Sequence, residues 1–238
     1  MEKLKLFILI FVLALVAMFA YILSKSWFFF DKGIELKEEE TIKEEKKEPS
    51  FPKDSVSEHA KVIWKNFIYY PIELNSETGE GFGPEKFINH AKNLTFINLS
   101  NGKLKKVFKK KTYIWDYFSG EFTKVTKPYS EGEEVKETLD IGNKMVILAM
   151  TEDTNHDGFL NQKDKIKLFV YDPLEEELIS ILPEDYYLEK ILYNSRKNIL
   201  ASVVRKYIND NGKEEIFPPS VLIYDAQKNK KTLVEDLK

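Results

Sequence analysis

Past residue 60 this chain never sustains an apolar pattern long enough for a helix. Its apolar residues come in short runs, rich in β-branched and aromatic side chains and separated by turn chemistry. Lys61–Tyr70 is one such run and Asn93–Leu99 another. Asn101-Gly102 is a two-residue hairpin signal that leads into Lys103–Phe108. Tyr113–Phe118 and Glu121–Val125, joined by Ser119-Gly120, read as a second hairpin. Lys144–Thr151 and Ile166–Tyr171 read as two further strands. Short strands in succession, without helices between them, predict an antiparallel all-β domain.

A repeat organises these strands. Phe96–Leu104, Phe169–Leu178 and Leu222–Lys231 each combine an apolar strand ending in Asn or Asp, a polar turn and a second strand. Polar loops are expected before each copy, at residues 72–90, 152–165 and 209–218. Leu188–Val204 supplies two more strands joined by Asn194–Asn198.

The loop at 153–164 has the most specific chemistry. Asp153, Asn155, Asp157, Asn161 and Asp164 place side-chain oxygens at positions 1, 3, 5, 9 and 12, and Gly158 stands at position 6. This is the ligand spacing of an EF-hand calcium loop. Calcium takes six to eight oxygens at about 2.3–2.6 Å. Three carboxylates, two amides and the backbone carbonyl of Phe159 at position 7 supply most of them. The expected cofactor is therefore Ca2+. An Asp/Asn/Gly-rich hairpin loop without metal is the plainer alternative. An EF-hand has a helix on each side, whereas both flanks here read as strands. Asp164 also stands where a sensor EF-hand has a longer Glu, which favours weaker binding. The expectation is a strand–calcium loop–strand unit with no helix pair to open.

Tyr193-Asn-Ser-Arg-Lys-Asn-Ile-Leu-Ala201 resembles the turn between the first two strands of a TolB-type or WD40-like β-propeller blade, and Leu222-Ile-Tyr-Asp225 resembles the third strand. The Asn194–Asn198 turn lacks the Pro and Gly usual in that family. The resemblance covers residues 60–238. It implies a propeller-like meander, with the Asp-x-Asn-x-Asp-Gly loop between the second and third strands of a blade. Three blade-like units are visible, fewer than the four to eight of a typical propeller. An open meander, a fourth degenerate unit around Tyr113–Val125 and a β-sandwich all remain open at this stage.

The first thirty residues differ in kind. Leu6–Leu23 contains no charge and no proline. At about 1.5 Å per residue, a helix of this length reaches ~27 Å, close to the ~30 Å of a bilayer core. Lys3 and Lys5 precede it, and Trp27 with Phe28-Phe29-Phe30 follows as an interfacial belt would. A cleaved signal peptide is the alternative, but Ser24-Lys25-Ser26 followed by Trp27 makes a poor cleavage site. The expectation is an N-terminal membrane anchor at 1–30, a charged stalk at 31–58 and an exported β-domain at 59–238. Glu35–Glu48 has the Glu–Lys spacing of a solvated helix, which Pro49 and Pro52 would end.

Other chemistries lack support. Net charge is −3, and the only arginines are Arg196 and Arg205, so no basic surface points to nucleic acid. Cysteine is absent, which removes disulfides, thiol nucleophiles and thiolate metal sites. His59, His90 and His156 show no zinc spacing, and no Gly-x-Ser-x-Gly elbow occurs. Gly79–Gly83 reads as a hairpin loop, because flanking glutamates disfavour a phosphate. Tyr69-Tyr70-Pro71 and Tyr186-Tyr187 are candidates to line a carbohydrate or peptide groove. The expected function is that of a non-enzymatic binding or accessory module outside the cytoplasm, with an envelope protein or polymer as partner. The alternative is an exported hydrolase, acting on glycans, with structural calcium.

Overall fold

The computed structural model of the 238-residue chain describes residues 15–18, 33–36, 59–72, 90–126, 135–210 and 213–235. In chain order its strands are β1 (Ile34–Glu35), β2 (Lys61–Ile63), β3 (Phe67–Ile72), β4 (Asn93–Asn98), β5 (Leu104–Lys106), β6 (Tyr113–Thr126) and β7 (Val135–Met150). There follow β8 (Phe159–Leu160), β9 (Lys167–Asp172), β10 (Glu177–Ser180), β11 (Tyr186–Leu192), β12 (Ile199–Asp210), β13 (Lys213–Asp225) and β14 (Lys230–Val234). The class is all-β, and every pairing is antiparallel.

Among the described residues, three open four-stranded sheets form the domain. The first is β2-β3-β4-β5, the second β6-β7-β9-β10 and the third β11-β12-β13-β14. β1 and β8 pair separately. The sequence repeat has a structural counterpart, since each copy supplies the third and fourth strands of one sheet.

The middle sheet explains why β7 contains the nearly unbroken apolar run Met145–Met150. Met145, Ile147 and Ala149 join a core with Leu94 and Phe96 of the first sheet. Val146 and Leu148, on the opposite face, pack in a core with Leu188, Leu200, Leu222 and Tyr224 of the third. β9 divides likewise, with Phe169 and Tyr171 on one side and Leu168 and Val170 on the other. A strand buried on both faces has no solvent side and loses its polar alternation. Each fully buried aliphatic chain of this kind contributes about 1.5–3 kcal/mol.

Several sequence expectations need correction. Lys61–Tyr70 is not one strand: it turns at Trp64–Asn66, with φ of 48° at Trp64 and 63° at Lys65. No glycine or asparagine occupies those two left-handed positions. Packing of Trp64 against the first core accompanies the turn. Ser119-Gly120 is not a hairpin, since β6 runs through it with bulges at Trp115 and Gly120. Gly120 marks a close backbone approach: a Cβ there would lie 2.6 Å from the Gly142 carbonyl oxygen and 2.8 Å from that of Lys144. Tyr113–Val125 is therefore an edge strand of the second sheet and not a unit of its own. The polar stretch 209–218 is largely strand, with β12 and β13 paired as far as Asp210 and Lys213.

Within the expected stalk, residues 33–36 meet the β-domain. Ile34 is buried and pairs with Leu160, while Glu35 pairs with Phe159. Gly33 has φ 78°, and a Cβ there would overlap the Leu160 carbonyl oxygen. The rest of the stalk and the Gly79–Gly83 loop lie outside the described residues. So does the expected anchor, except that residues 15–18 are helical. Among the described residues, no helix is long and apolar enough to cross a membrane.

Candidate calcium site

The loop 153–164 lies between β7 and β9, the second and third strands of the middle sheet. Its first half is wired by short polar side chains. Asp153 accepts the Asp157 N–H through Oδ1 at 3.2 Å and the Gly158 N–H through Oδ2 at 2.8 Å. The Asn155 Oδ1 also accepts the Asp157 N–H, at 3.0 Å. Asp157 Oδ1 accepts the Phe159 N–H at 3.0 Å, and its Oδ2 accepts from the Asn155 amide at 3.2 Å. Such local bonds explain why Asp and Asn occur here, as they offer the backbone a turn in place of a ladder. His156 at φ 58° and Gly158 at φ 83° supply the left-handed steps.

Asp164 closes the second half. Its Oδ1 accepts from the Thr154 N–H at 2.8 Å and the Thr154 hydroxyl at 3.2 Å. Its Oδ2 accepts the Asn161 N–H at 2.9 Å. Asp164 is buried, and a buried carboxylate needs such donors. Asn161 is buried as well, with Oδ1 on the Lys163 N–H at 2.8 Å. Phe159 and Leu160 are held by the β1–β8 ladder, and the Leu36 N–H reaches the Gly158 carbonyl at 2.8 Å.

All six sequence-nominated residues therefore lie in one closed loop. Asp153, Asn155 and Asp157 are linked to one another, and Asp164 is linked to Asn161 through the backbone. A carboxylate has about four lone-pair positions, so an oxygen that accepts an N–H keeps capacity for a cation. The hard-oxygen donor set fits calcium. Among the described residues, however, no three His, Asp or Glu side chains form a ready metal cage. The carboxylates are engaged by loop donors, and two amides and a carbonyl complete the donor set.

Sequence reasoning missed two supports. One is Thr154, whose hydroxyl donates to Asp164 and accepts the Lys165 N–H at 2.9 Å. The other is the clamp from residues 33–36, signalled only by Gly33-Ile34 ahead of the charged run. Lys167, just past the loop, is buried and donates to the carbonyls of Glu184 and Tyr186. Burial pushes its amine below the usual lysine range, partly offset by Glu152, Asp185 and Glu184. His90 stacks on Tyr113, with ring centroids 5.3 Å apart, and lies tilted against Trp115 at 4.5 Å. Tyr69 packs on Phe96 and Tyr117 inside the domain, and Tyr187 lies against Tyr207.

No protein-family model matches this chain, and no curated protein matches its sequence.

Proposed function

We propose that this chain is a membrane-anchored, extracytoplasmic β-domain that binds calcium through loop 153–164 and acts as a non-enzymatic binding or accessory module. The observation that carries the calcium reading is the loop's wiring. Five oxygen side chains at calcium spacing lie in one closed turn, held at its midpoint by the β1–β8 ladder. Three four-stranded meanders packed face to face support an open, propeller-like set of blade-like units. In that arrangement the calcium loop joins the second and third strands of the middle unit. The anchor rests on the uncharged run Leu6–Leu23, and the partner class is an envelope protein or polymer.

Calorimetric titration tests the site directly. Extracellular modules of this kind bind calcium at roughly 10⁻⁴–10⁻³ M. Saturable binding in that range is expected, and none up to several times ~1 mM would remove the site. His156→Ala should leave binding intact, whereas Asp157→Ala should abolish it. Topology has its own test. Protease added outside intact or outer-membrane-permeabilised cells should digest the chain beyond residue 31. Protection until the inner membrane is lysed would reverse the orientation.

A further inference from the structure

Two β-bulges face one another across the second and third sheets. In β6 the register shifts between Ile114 and Asp116, and in β11 it shifts between Leu188 and Lys190. Both strands are sheet edges. The residues at these shifts, Trp115 and Asp116 on one side and Glu189 and Lys190 on the other, line a single cleft of about 420 Å³. Tyr193 and an aliphatic floor that includes Leu148 complete it. Bulges re-aim side chains and recur beside binding sites. The volume falls in the range of small-molecule pockets, ~300–1,000 Å³.

The cleft's charges are arranged for a neutral ligand. Asp116 is half-buried, and its Oδ1 accepts the Tyr117 N–H at 2.8 Å. Among the described residues, no other donor reaches that carboxylate. Glu189 is already neutralised by Arg205, whose Nε lies 2.6 Å from it. Lys190 forms no ion pair among the described residues. One acceptor and one donor therefore stand available, of opposite sign, beside aromatic rings. A singly charged ligand would be attracted by one of these two groups and repelled by the other, so its charge brings no net gain. A ring with an apolar face and a hydroxylated edge meets neither penalty. Its hydroxyls can donate to Asp116 and accept from Lys190, while its C–H face lies on Trp115 or Tyr193.

We propose that this cleft binds a neutral saccharide of one or two pyranose rings, with Asp116 and Lys190 as its polar contacts and Trp115 and Tyr193 as its stacking faces. This site is independent of calcium binding by loop 153–164, so titrations with and without calcium separate the two.

The test uses the full chain in sugar-free detergent, with saturation-transfer NMR and tryptophan fluorescence as readouts. The probes are cellobiose, maltose and N,N′-diacetylchitobiose, with glucosamine and glucuronate as charged comparators. At least one neutral disaccharide should bind saturably and more tightly than either charged sugar. Asp116→Asn and Lys190→Ala should each weaken that binding about tenfold or more, since each removes a charge-assisted hydrogen bond. Their melting temperatures should be no lower than that of the wild type. Absence of saturable binding by all three disaccharides would overturn the proposal. So would preference for a charged sugar, or undiminished binding in both variants. The wild-type titration decides alone if a variant folds poorly.

Discussion

Two kinds of connection recur in this domain, and they follow opposite rules. The turns from third to fourth strand are alike in all three sheets. Asn98, Asp172 and Asp225 end the third strands, and each accepts an N–H from two residues on: Ser100 at 2.8 Å, Leu174 at 3.0 Å and Gln227 at 3.1 Å. Four residues beyond each stands a left-handed residue, Gly102 at φ 69°, Glu176 at φ 54° and Asn229 at φ 48°. Among the described residues, the second-to-third connections show no such shared turn. One leaves the described residues at 73–89, one is the loop 153–164, and one continues its ladder to Asp210 and Lys213. Local chemistry dictates the first set, so its members converge. The second set is free to carry whatever a site requires.

That contrast sets the order of expected effects. Leu222→Ala, in the third strand of the third sheet, removes a fully buried side chain from the larger core. It should cost about 2–5 kcal/mol, read as a lowered urea midpoint. Loop changes should act on a smaller scale. Calcium bound at the proposed site would add only ~1.4 kcal/mol to folding stability at ten times its Kd. Asp153→Ala combined with Asp157→Ala should abolish that calcium-dependent rise in melting temperature. Without calcium, the double variant should remain far more stable than Leu222→Ala. If it falls as far, the loop belongs to the framework and the contrast fails.

The frame was readable because its signals are local. Asn101, the Asp residues that end the strands, and Asn194 all sit in turns where their side chains act within a few residues. The loop's Asp and Asn turn chemistry was legible for the same reason. What escaped depends on distant partners. Gly120 looked like a turn residue, but the approach of Gly142 and Lys144 requires it. Ile34 looked like part of a solvated stalk until Leu160 paired with it. The saccharide cleft arises from two register shifts on strands that are far apart in sequence, and no motif announces either shift.

The β2–β3 turn offers a middle-sized test of how local chemistry governs a frame turn. Lys65 is exposed and left-handed at φ 63° without being glycine. A side chain in that conformation costs about 1–2 kcal/mol, while glycine adds ~0.4–1 kcal/mol of unfolded-state entropy. Lys65→Gly should therefore stabilise the fold by up to about 1 kcal/mol, seen in chemical denaturation. A loss of stability would mean that the turn depends on the lysine itself.

The smallest effect is electrostatic and separates cleft from framework. Burial raises the Asp116 carboxyl above its usual range, against the Tyr117 N–H and His90, which lower it. The folded state thus holds the proton more firmly than the unfolded chain, whose Asp titrates near 3.9. Between those two values the folded state binds more protons, so stability falls as pH rises through that window. The contribution is fully present below the unfolded value and lost once pH passes the raised folded one. Asp116→Asn keeps the shape and an acceptor for Tyr117, but it cannot titrate. Subtracting the variant's stability from the wild type's should therefore give a difference that declines from pH ~4 upward and then levels. Denaturant curves across that range would measure it. A flat difference would mean that Asp116 is not desolvated in the cleft, and a rising one that a cation stabilises its charged form there.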